Sequence, residues 1–254
     1  MATNFEKVIE FNKTFGLAHY EEEQITVFDE NPKLANLRYA LIKEEIGELC
    51  EAFETHDYIE VIDALTDILY VVYGAASSFG FNINELYYST DDKSNTSKTI
   101  YDNVLIKVPE FASMNIGQKN VKDEFYNLSL ANHYLDKLHN LDDNLFKLIQ
   151  DKNYEETKTN LLSILVNTYL LGCYLGIELN RSFDIVHSSN MSKVCATEDD
   201  AKTTVQWYTE NESRYDSPDY RLCYDNKRYV VYNHSTGKIL KNTKYIPANF
   251  TSML

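Results

Sequence analysis

The stretch Glu44-Glu45-Ile46-Gly47-Glu48, followed across the polar turn Thr55-His56-Asp57 by Glu60-Val61-Ile62-Asp63, sets two short acidic clusters inside two helical patterns. Within each cluster the acids stand three apart, so Glu45 and Glu48 share one helix face, as do Glu60 and Asp63. If the two helices fold back on each other, four carboxylates converge at one level of a bundle. Uncompensated, that convergence costs more than the net stability of a small domain. Divalent cations resolve the conflict, and hard cations with open coordination positions accompany phosphate chemistry.

Outward from these clusters, helical periodicity dominates the first three quarters of the chain. A first helix is predicted over Asn4 to Phe15. A second starts at Asn31-Pro32, with Asn31 as N-cap and Pro32 at the first position, and runs to about Glu54. A third follows the N-cap Asp57 and reaches Phe79, where Gly80 stops it. On the second helix Leu34, Leu37, Leu41, Glu45, Glu48 and Ala52 form one stripe; on the third, Glu60, Asp63, Asp67 and Tyr70 form another. The acids of the first stripe continue an apolar face, whereas a merely solvated acidic face would oppose it. That placement points to a site.

The chain repeats itself. A shift of 96 residues pairs Tyr58 with Tyr154, Glu60 with Glu156, Leu65 with Leu161, Tyr73 with Tyr169 and Gly80 with Gly176. With one residue lost, Ser94-Asn95-Thr96-Ser97-Lys98 pairs with Ser189-Asn190-Met191-Ser192-Lys193. Two similar hairpins stack into a four-helix core with an approximate twofold axis. The second copy has lost the acids: Glu44, Glu45, Glu48 and Asp63 become Asn140, Leu141, Asn144 and Thr159, and only Glu156 remains. It holds the fuller His187-to-Lys193 element instead. One composite site per chain is therefore expected, with metal ligands from the first repeat and phosphate or base contacts from the second.

After Lys193 the character changes. Thr197 caps a short helix to about Asn211, and Arg228–Tyr232 with Lys238–Lys241 alternate around Asn233-His234-Ser235-Thr236-Gly237 as a β-hairpin. This appendage is too small for a core of its own and should pack on the bundle. The expected fold is all-α: a four-helix-bundle core from an internally duplicated hairpin, with a small C-terminal helix and β-hairpin. The expected divisions are 1–98 (acidic repeat), 99–193 (degenerate repeat) and 194–254 (appendage).

Composition bounds the partners. A net charge of −15 argues against a nucleic-acid surface. Cys50, Cys173, Cys195 and Cys223 are dispersed without a C-x-x-C pair, which fits reduced thiols in a cytoplasmic compartment. The N-terminal residues run straight into an amphipathic segment, and no signal peptide is expected. The uncharged run Leu161 to Ile177 contains Ser163, Asn167 and Thr168, and reads as a buried bundle helix, with no membrane partner. No G-x-x-x-x-G-K-[ST] loop is present, so the chain is no P-loop NTPase.

Glu45-x-x-Glu48 with Glu60-x-x-Asp63 resembles the metal motif of the all-α nucleoside triphosphate pyrophosphohydrolases: MazG-like proteins, dimeric dUTPases and phosphoribosyl-ATP pyrophosphohydrolase. The run Ala64 to Gly74, the His187-Ser-Ser-Asn-Met-Ser-Lys193 element and Gly237-Lys-Ile-Leu-Lys241 with Tyr245 and Pro247 extend the resemblance over most of the chain. The fused, degenerate second repeat departs from relatives that carry one copy per chain; the oligomer is either a monomer with a pseudo-dimeric core or a homodimer. The resemblance implies hydrolysis of a nucleoside triphosphate between the α and β phosphates, giving monophosphate and pyrophosphate in nucleotide-pool house-cleaning. It implies Mg²⁺ or Mn²⁺ on Glu45, Glu48, Glu60 and Asp63, with Glu44 as an extra ligand or water-orienting base. Lys193, Lys238 and Lys241 would meet the remaining phosphate charge. Asn190 would meet base or ribose, His187 the substrate, and Asp67 and Tyr70 lie further along the site face. The preferred nucleotide, among dUTP, dCTP, modified or oxidised triphosphates and phosphoribosyl-ATP, is not legible.

Two rivals stand beside this reading. A carboxylate-bridged di-iron bundle needs Glu-x-x-His on two helices, and only Asp136-x-x-His139 and Asp184-x-x-His187 approach it. A catalytically silent nucleotide-binding or scaffolding bundle is the other; the intact acids of the first half argue against it.

Overall fold

The computed structural model describes residues 2–85 and 129–254. Helices α1 (Asn4–Phe15), α2 (Val27–Glu30), α3 (Pro32–Thr55), α4 (Tyr58–Phe79), α5 (Ser129–Gln150), α6 (Tyr154–Tyr174), α7 (Leu179–Met191) and α8 (Glu198–Asn211) are followed by strands β1 (Pro218–Leu222) and β2 (Tyr229–Asn233). The protein is all-α with a small two-stranded antiparallel appendage.

The expected caps are in place. The side chain of Asn31 accepts from Leu34 N at the start of α3, and Asp57 accepts from Ile59 N and Glu60 N at the start of α4. Asn153, which is Asp57 shifted by 96, caps α6 in the same way. The bounds of α5 and α6 fall on those of α3 and α4 under that shift to within a residue or so.

α4 is the central helix, apolar nearly all round, and packs against α1, α3, α6 and α7, while α3 and α6 each pack on α5. Ile42 and Leu49 of α3, Leu65, Ile68, Leu69 and Val72 of α4, Leu138 of α5 and Leu161, Ile164 and Leu165 of α6 are fully buried in one core. Burial of each contributes roughly 1.5–3 kcal/mol. The uncharged run in α6 is thus a bundle helix, and no single described helix is long and apolar enough to cross a membrane. The four cysteines are free.

Three expectations are corrected. The core face of α3 is Ala35, Arg38, Ile42, Ile46, Leu49 and Ala52. The stripe through Leu37, Leu41 and Glu45 lies beside that face and is half-buried. In the appendage, β2 pairs with β1 in the register Pro218↔Asn233 to Leu222↔Tyr229. The turn at Asn233–Gly237 exists, with Gly237 N donating to Asn233 O, but its returning arm makes only an isolated bridge, Tyr232↔Ile239. The turn at Asp225-Asn226, where Asn226 takes φ 54°, is what joins the paired strands. Finally, the appendage does have a small cluster of its own, Cys195, Ala201, Tyr208, Val231 and Leu240, while Cys223, Val230 and Phe250 join the main core. The expected boundary at 98/99 and the first Ser-Asn-x-Ser-Lys element lie outside the described residues.

Candidate functional site

Only His56 and Asp57 separate α3 from α4, with His56 in the left-handed region at φ 61°. So short a turn makes the helices antiparallel and sets residues at equal distance from it on one level. Glu45 and Asp67 each lie eleven residues from His56; Arg38 and Gly74 each lie eighteen from it. The hairpin therefore carries acids at one level and a guanidinium two turns further down, roughly 10 Å along the axis at 1.5 Å per residue.

Glu44, Glu45, Glu48, Asp63 and Asp67 act on one another as one electrostatic cluster. Burial, then the charges of Asp67, Glu48, Glu44 and Asp63, pushes the Glu45 carboxyl up to about 9. Burial and Asp63 push Asp67 up to about 7, with Lys193 opposing. Burial, Glu60 and Glu48 push Asp63 up to about 6, and burial with Glu44 and Glu60 raises Glu48. Desolvation is the leading cause throughout, with like charge second. Asp67 thus stands inside the carboxylate cluster itself, not further along the face as its position in the sequence suggested. Glu60 is exposed at the cluster's outer edge.

The second repeat and the appendage deliver the cations. Lys193, at the end of α7, donates to Asn190 Oδ1 at 2.6 Å, and burial pushes its ammonium down to about 8 against the pull of Asp67. Lys238 Nζ lies 3.6 Å from Glu44 Oε1. Lys241 Nζ sits 4.9 Å from the Tyr245 ring centroid and, with Lys193, lowers Asp63. His187 stands apart from the acids: its Nδ1 lies 3.1 Å from Tyr70 Oη and its Nε2 3.6 Å from Glu10 Oε2, so it backs Tyr70 from behind. Like Glu48, Glu60, Asp63 and Lys241, it does not line the cavity that Glu44, Glu45 and Asp67 border. Asp184, the other half of the di-iron rival's motif, pairs with Lys7.

A cavity of about 210 Å³ opens between these groups. Glu44, Glu45, Asp67, Lys193 and Lys238 stand at its polar side, and Phe11, Leu37, Leu41, Tyr70, Val71 and Ile239 supply apolar wall. Glu45 Oε2 is buried there without a hydrogen-bond partner. Among the described residues no three His, Cys, Asp or Glu side chains stand close enough together to hold a metal ion. The donor set is nevertheless all hard carboxylate oxygen with one orphaned buried atom, which is the chemistry a hard divalent cation satisfies.

Two polar lining residues escaped the sequence reading. Arg38 and Asn12 face the same cavity, 7% and 1% exposed. Arg38 sits one position after Leu37 inside an apolar stripe, seven before Glu45; its place two turns from the acids was the available signal.

Residues 8–94, which span the acidic hairpin and Arg38, match the family model of phosphoribosyl-ATP pyrophosphohydrolase. Over its whole length the chain is 38% identical to an uncharacterized protein, L479, of Acanthamoeba polyphaga mimivirus, covering 100% of this chain and 96% of that one. No solved structure matches the chain. The chain belongs to one family with L479, and its residues 8–94 match the phosphoribosyl-ATP pyrophosphohydrolase domain, a member of the MazG-like nucleoside triphosphate pyrophosphohydrolase superfamily.

Proposed function

We propose that the protein hydrolyses a nucleoside or deoxynucleoside triphosphate to the monophosphate and pyrophosphate, using a divalent cation, as a house-cleaning step on the nucleotide pool. The observation that carries this reading is the acid cluster around the buried, unpartnered Glu45 Oε2, faced by Lys193 and Lys238 across one cavity. Glu45, Glu48, Glu60 and Asp63 would hold Mg²⁺ or Mn²⁺. Bound there, the cation supplies charge neutralisation for the phosphates and Lewis acidity toward the reacting centre.

The chain's own groups do the remainder. Lys193 and Lys238 take phosphate oxygens, with Lys241 outside them; the ammonium groups are point charges that tolerate the spread of a triphosphate. Glu44, exposed at the cavity mouth, accepts a proton from the attacking water. The water oxygen bonds to the α-phosphorus, the bridging bond to the β-phosphate breaks, and pyrophosphate leaves with the electron pair. His187 holds Tyr70 in place, and Tyr70 with Asn190 forms the wall against which the nucleoside rests.

The test is product identity with Mg²⁺ present. Pyrophosphate and monophosphate should form in equal amounts, and Glu48→Gln should lower the rate at least about a hundredfold. Release of diphosphate and orthophosphate, or a Glu48→Gln variant as active as wild type, sinks the reading.

A further inference from the structure

Arg38 is a buried cation that no carboxylate among the described residues answers. It is 7% exposed, and its Nε donates to Ser78 Oγ at 2.9 Å, whose hydroxyl in turn donates to Ala18 O at 2.9 Å. Among the described residues its two terminal nitrogens have no hydrogen-bond partner and no carboxylate lies within ion-pair distance. Burial alone, unopposed by any acid, pushes the guanidinium down to about 10. The acids stand two helical turns away, roughly 10 Å along the axis.

Space has been left for this group. A Cβ built on Gly74 would lie 3.0 Å from Arg38 Nη1 and 3.7 Å from its Cζ, so the absent side chain leaves the guanidinium room beside α4, where both residues line the cavity. The feature is confined to the acid-bearing half. Under the shift of 96, Arg38 becomes Tyr134 and Gly74 becomes Leu170, just as Glu45 becomes Leu141 and Asp67 becomes Ser163. The guanidinium, its glycine gap and the acids therefore occur together and are absent together.

A guanidinium is donor-only and presents its terminal N–H groups as a fixed fork, so whatever fills the space before it must offer acceptors. Walls of Phe11, Leu37, Leu41 and Val71 favour a flat, weakly polar ring over a hydrated phosphate. With phosphates at Lys193 and Lys238, the ring edge farthest from the sugar is the one that arrives at Arg38, two helical turns from Glu45. That edge carries a carbonyl in 6-oxopurines and 4-oxopyrimidines, and an amino donor in adenine and cytosine. Donor against donor in a buried site leaves both unsatisfied, which is a strong ground for rejection.

We propose that Arg38 is the base-reading residue and that the substrate is a nucleotide with an oxo base, of the guanine, hypoxanthine or uracil type, in preference to adenine or cytosine. The assignment rests on the nucleotide reading of the cavity given above. Asn12, whose Nδ2 donates to Ser77 Oγ at 3.1 Å, lines the same cavity and offers a second polar contact for the ring.

The experiment compares kcat/KM with Mg²⁺ for ITP against ATP and for UTP against CTP, each with its deoxy counterpart, and measures binding of IMP and AMP to the same protein by calorimetry. Wild type should favour the oxo member of each pair at least about tenfold. Arg38→Met, which keeps the length and removes the fork, should bring that ratio to near one; Arg38→Lys should fall between. Equal rates on oxo and amino bases in wild type, or an Arg38→Met loss equal for all bases in a chain that melts like wild type, overturns the proposal; the latter marks a phosphate contact or a packing role. If no triphosphate is cleaved but IMP still binds at least about tenfold tighter than AMP in an Arg38-dependent way, the hydrolase reading falls and the base assignment stands. If neither nucleotide binds, both fall.

Discussion

Tyr73 Oη and Tyr169 Oη lie 3.3 Å apart, and the two residues are separated by 96 positions, the period of the internal repeat. A residue meets its own counterpart only close to an axis relating two copies, so this buried pair marks where α4 and α6 cross. The two hydroxyls are not equal. Tyr169 Oη also accepts from Asn4 Nδ2 at 3.0 Å and reaches Asn180 Oδ1 at 3.5 Å, tying α1 and α7 to the crossing. Tyr73→Phe removes one contact and should cost less than about 1 kcal/mol. Tyr169→Phe removes the partner of the Tyr73 hydroxyl and one of the two acceptors of Asn4 Nδ2, which keeps Asn180 Oδ1 at 2.8 Å, and should cost about 1–3 kcal/mol. Urea unfolding of both single variants and the double variant checks it: a deficit for Tyr73→Phe equal to that of Tyr169→Phe contradicts the asymmetry.

Gly80 ends α4 at φ 80°, and a Cβ there would sit 1.9 Å from the backbone oxygen of Glu22. The loop before α2 is bonded to this helix end, with Gln24 N donating to Phe79 O and Tyr20 N to Ser77 O. Neither side can retreat without breaking those bonds. Gly80→Ala should destabilise by roughly 3 kcal/mol or more, combining the left-handed backbone with a backbone clash. Gly47 is the control: it lies within α3 with nothing within 4 Å of its added Cβ, so Gly47→Ala should stabilise by about 0.5–1 kcal/mol. Differential scanning calorimetry reads both, and a shift of the same sign for the two is the contrary result.

Legibility tracked the strength of local signals. Helices α1, α3, α4 and α8 were readable to within a residue because Asn31, Asp57, Thr197 and Gly80 punctuate strong periodicity. α2 is four residues long and falls below any periodic signal. Strand β1, Pro-Asp-Tyr-Arg-Leu, begins with Pro and Asp and leaves Leu222 exposed, so nothing in its composition says strand; it pairs because the Asp225-Asn226 turn returns it to β2. At the site the acids were legible because like charges at helical spacing demand an explanation. Arg38 was not, because a single charge inside a leucine stripe reads as solvated until the packing of Gly74 against it is known.

Asp142 occupies in α5 the position of Ile46 in α3, is 3% exposed, and keeps Oδ1 without a hydrogen-bond partner. Burial raises its pKa above the ordinary 3.8, with Lys43 opposing. The sign follows from linkage: the folded state holds the proton more tightly, so stability is lost as pH rises above about 3.8 and the penalty is constant once pH exceeds the folded value. Asp142→Asn and Asp142→Leu should both raise the melting temperature at pH 8, by the equivalent of about 1 kcal/mol. The gain should shrink on approaching pH 4. Melting curves of wild type and both variants from pH 4 to 8 decide it; a gain that grows toward acid reverses the sign and refutes the assignment.

Lys193 and Lys98 stand at corresponding places in the two repeats, and the composite-site reading requires them to differ in effect. Lys193 is held by Asn190 at the buried edge of the cluster, where Asp67 and Glu45 stabilise its charge. Its removal takes from the cavity a cation that Lys238 and Lys241, both exposed, do not replace. Lys193→Ala should therefore lower kcat/KM at least about a hundredfold, since a charge-assisted phosphate contact in a desolvated site contributes several kcal/mol to the transition state. Loss of Lys193 also leaves the acids less compensated, so the metal-free variant should melt below wild type while divalent cation restores part of the difference. Lys98→Ala should leave turnover within about twofold. Turnover crippled by Lys98→Ala and spared by Lys193→Ala would assign the phosphate contact to the first repeat and dissolve the division of labour between the halves.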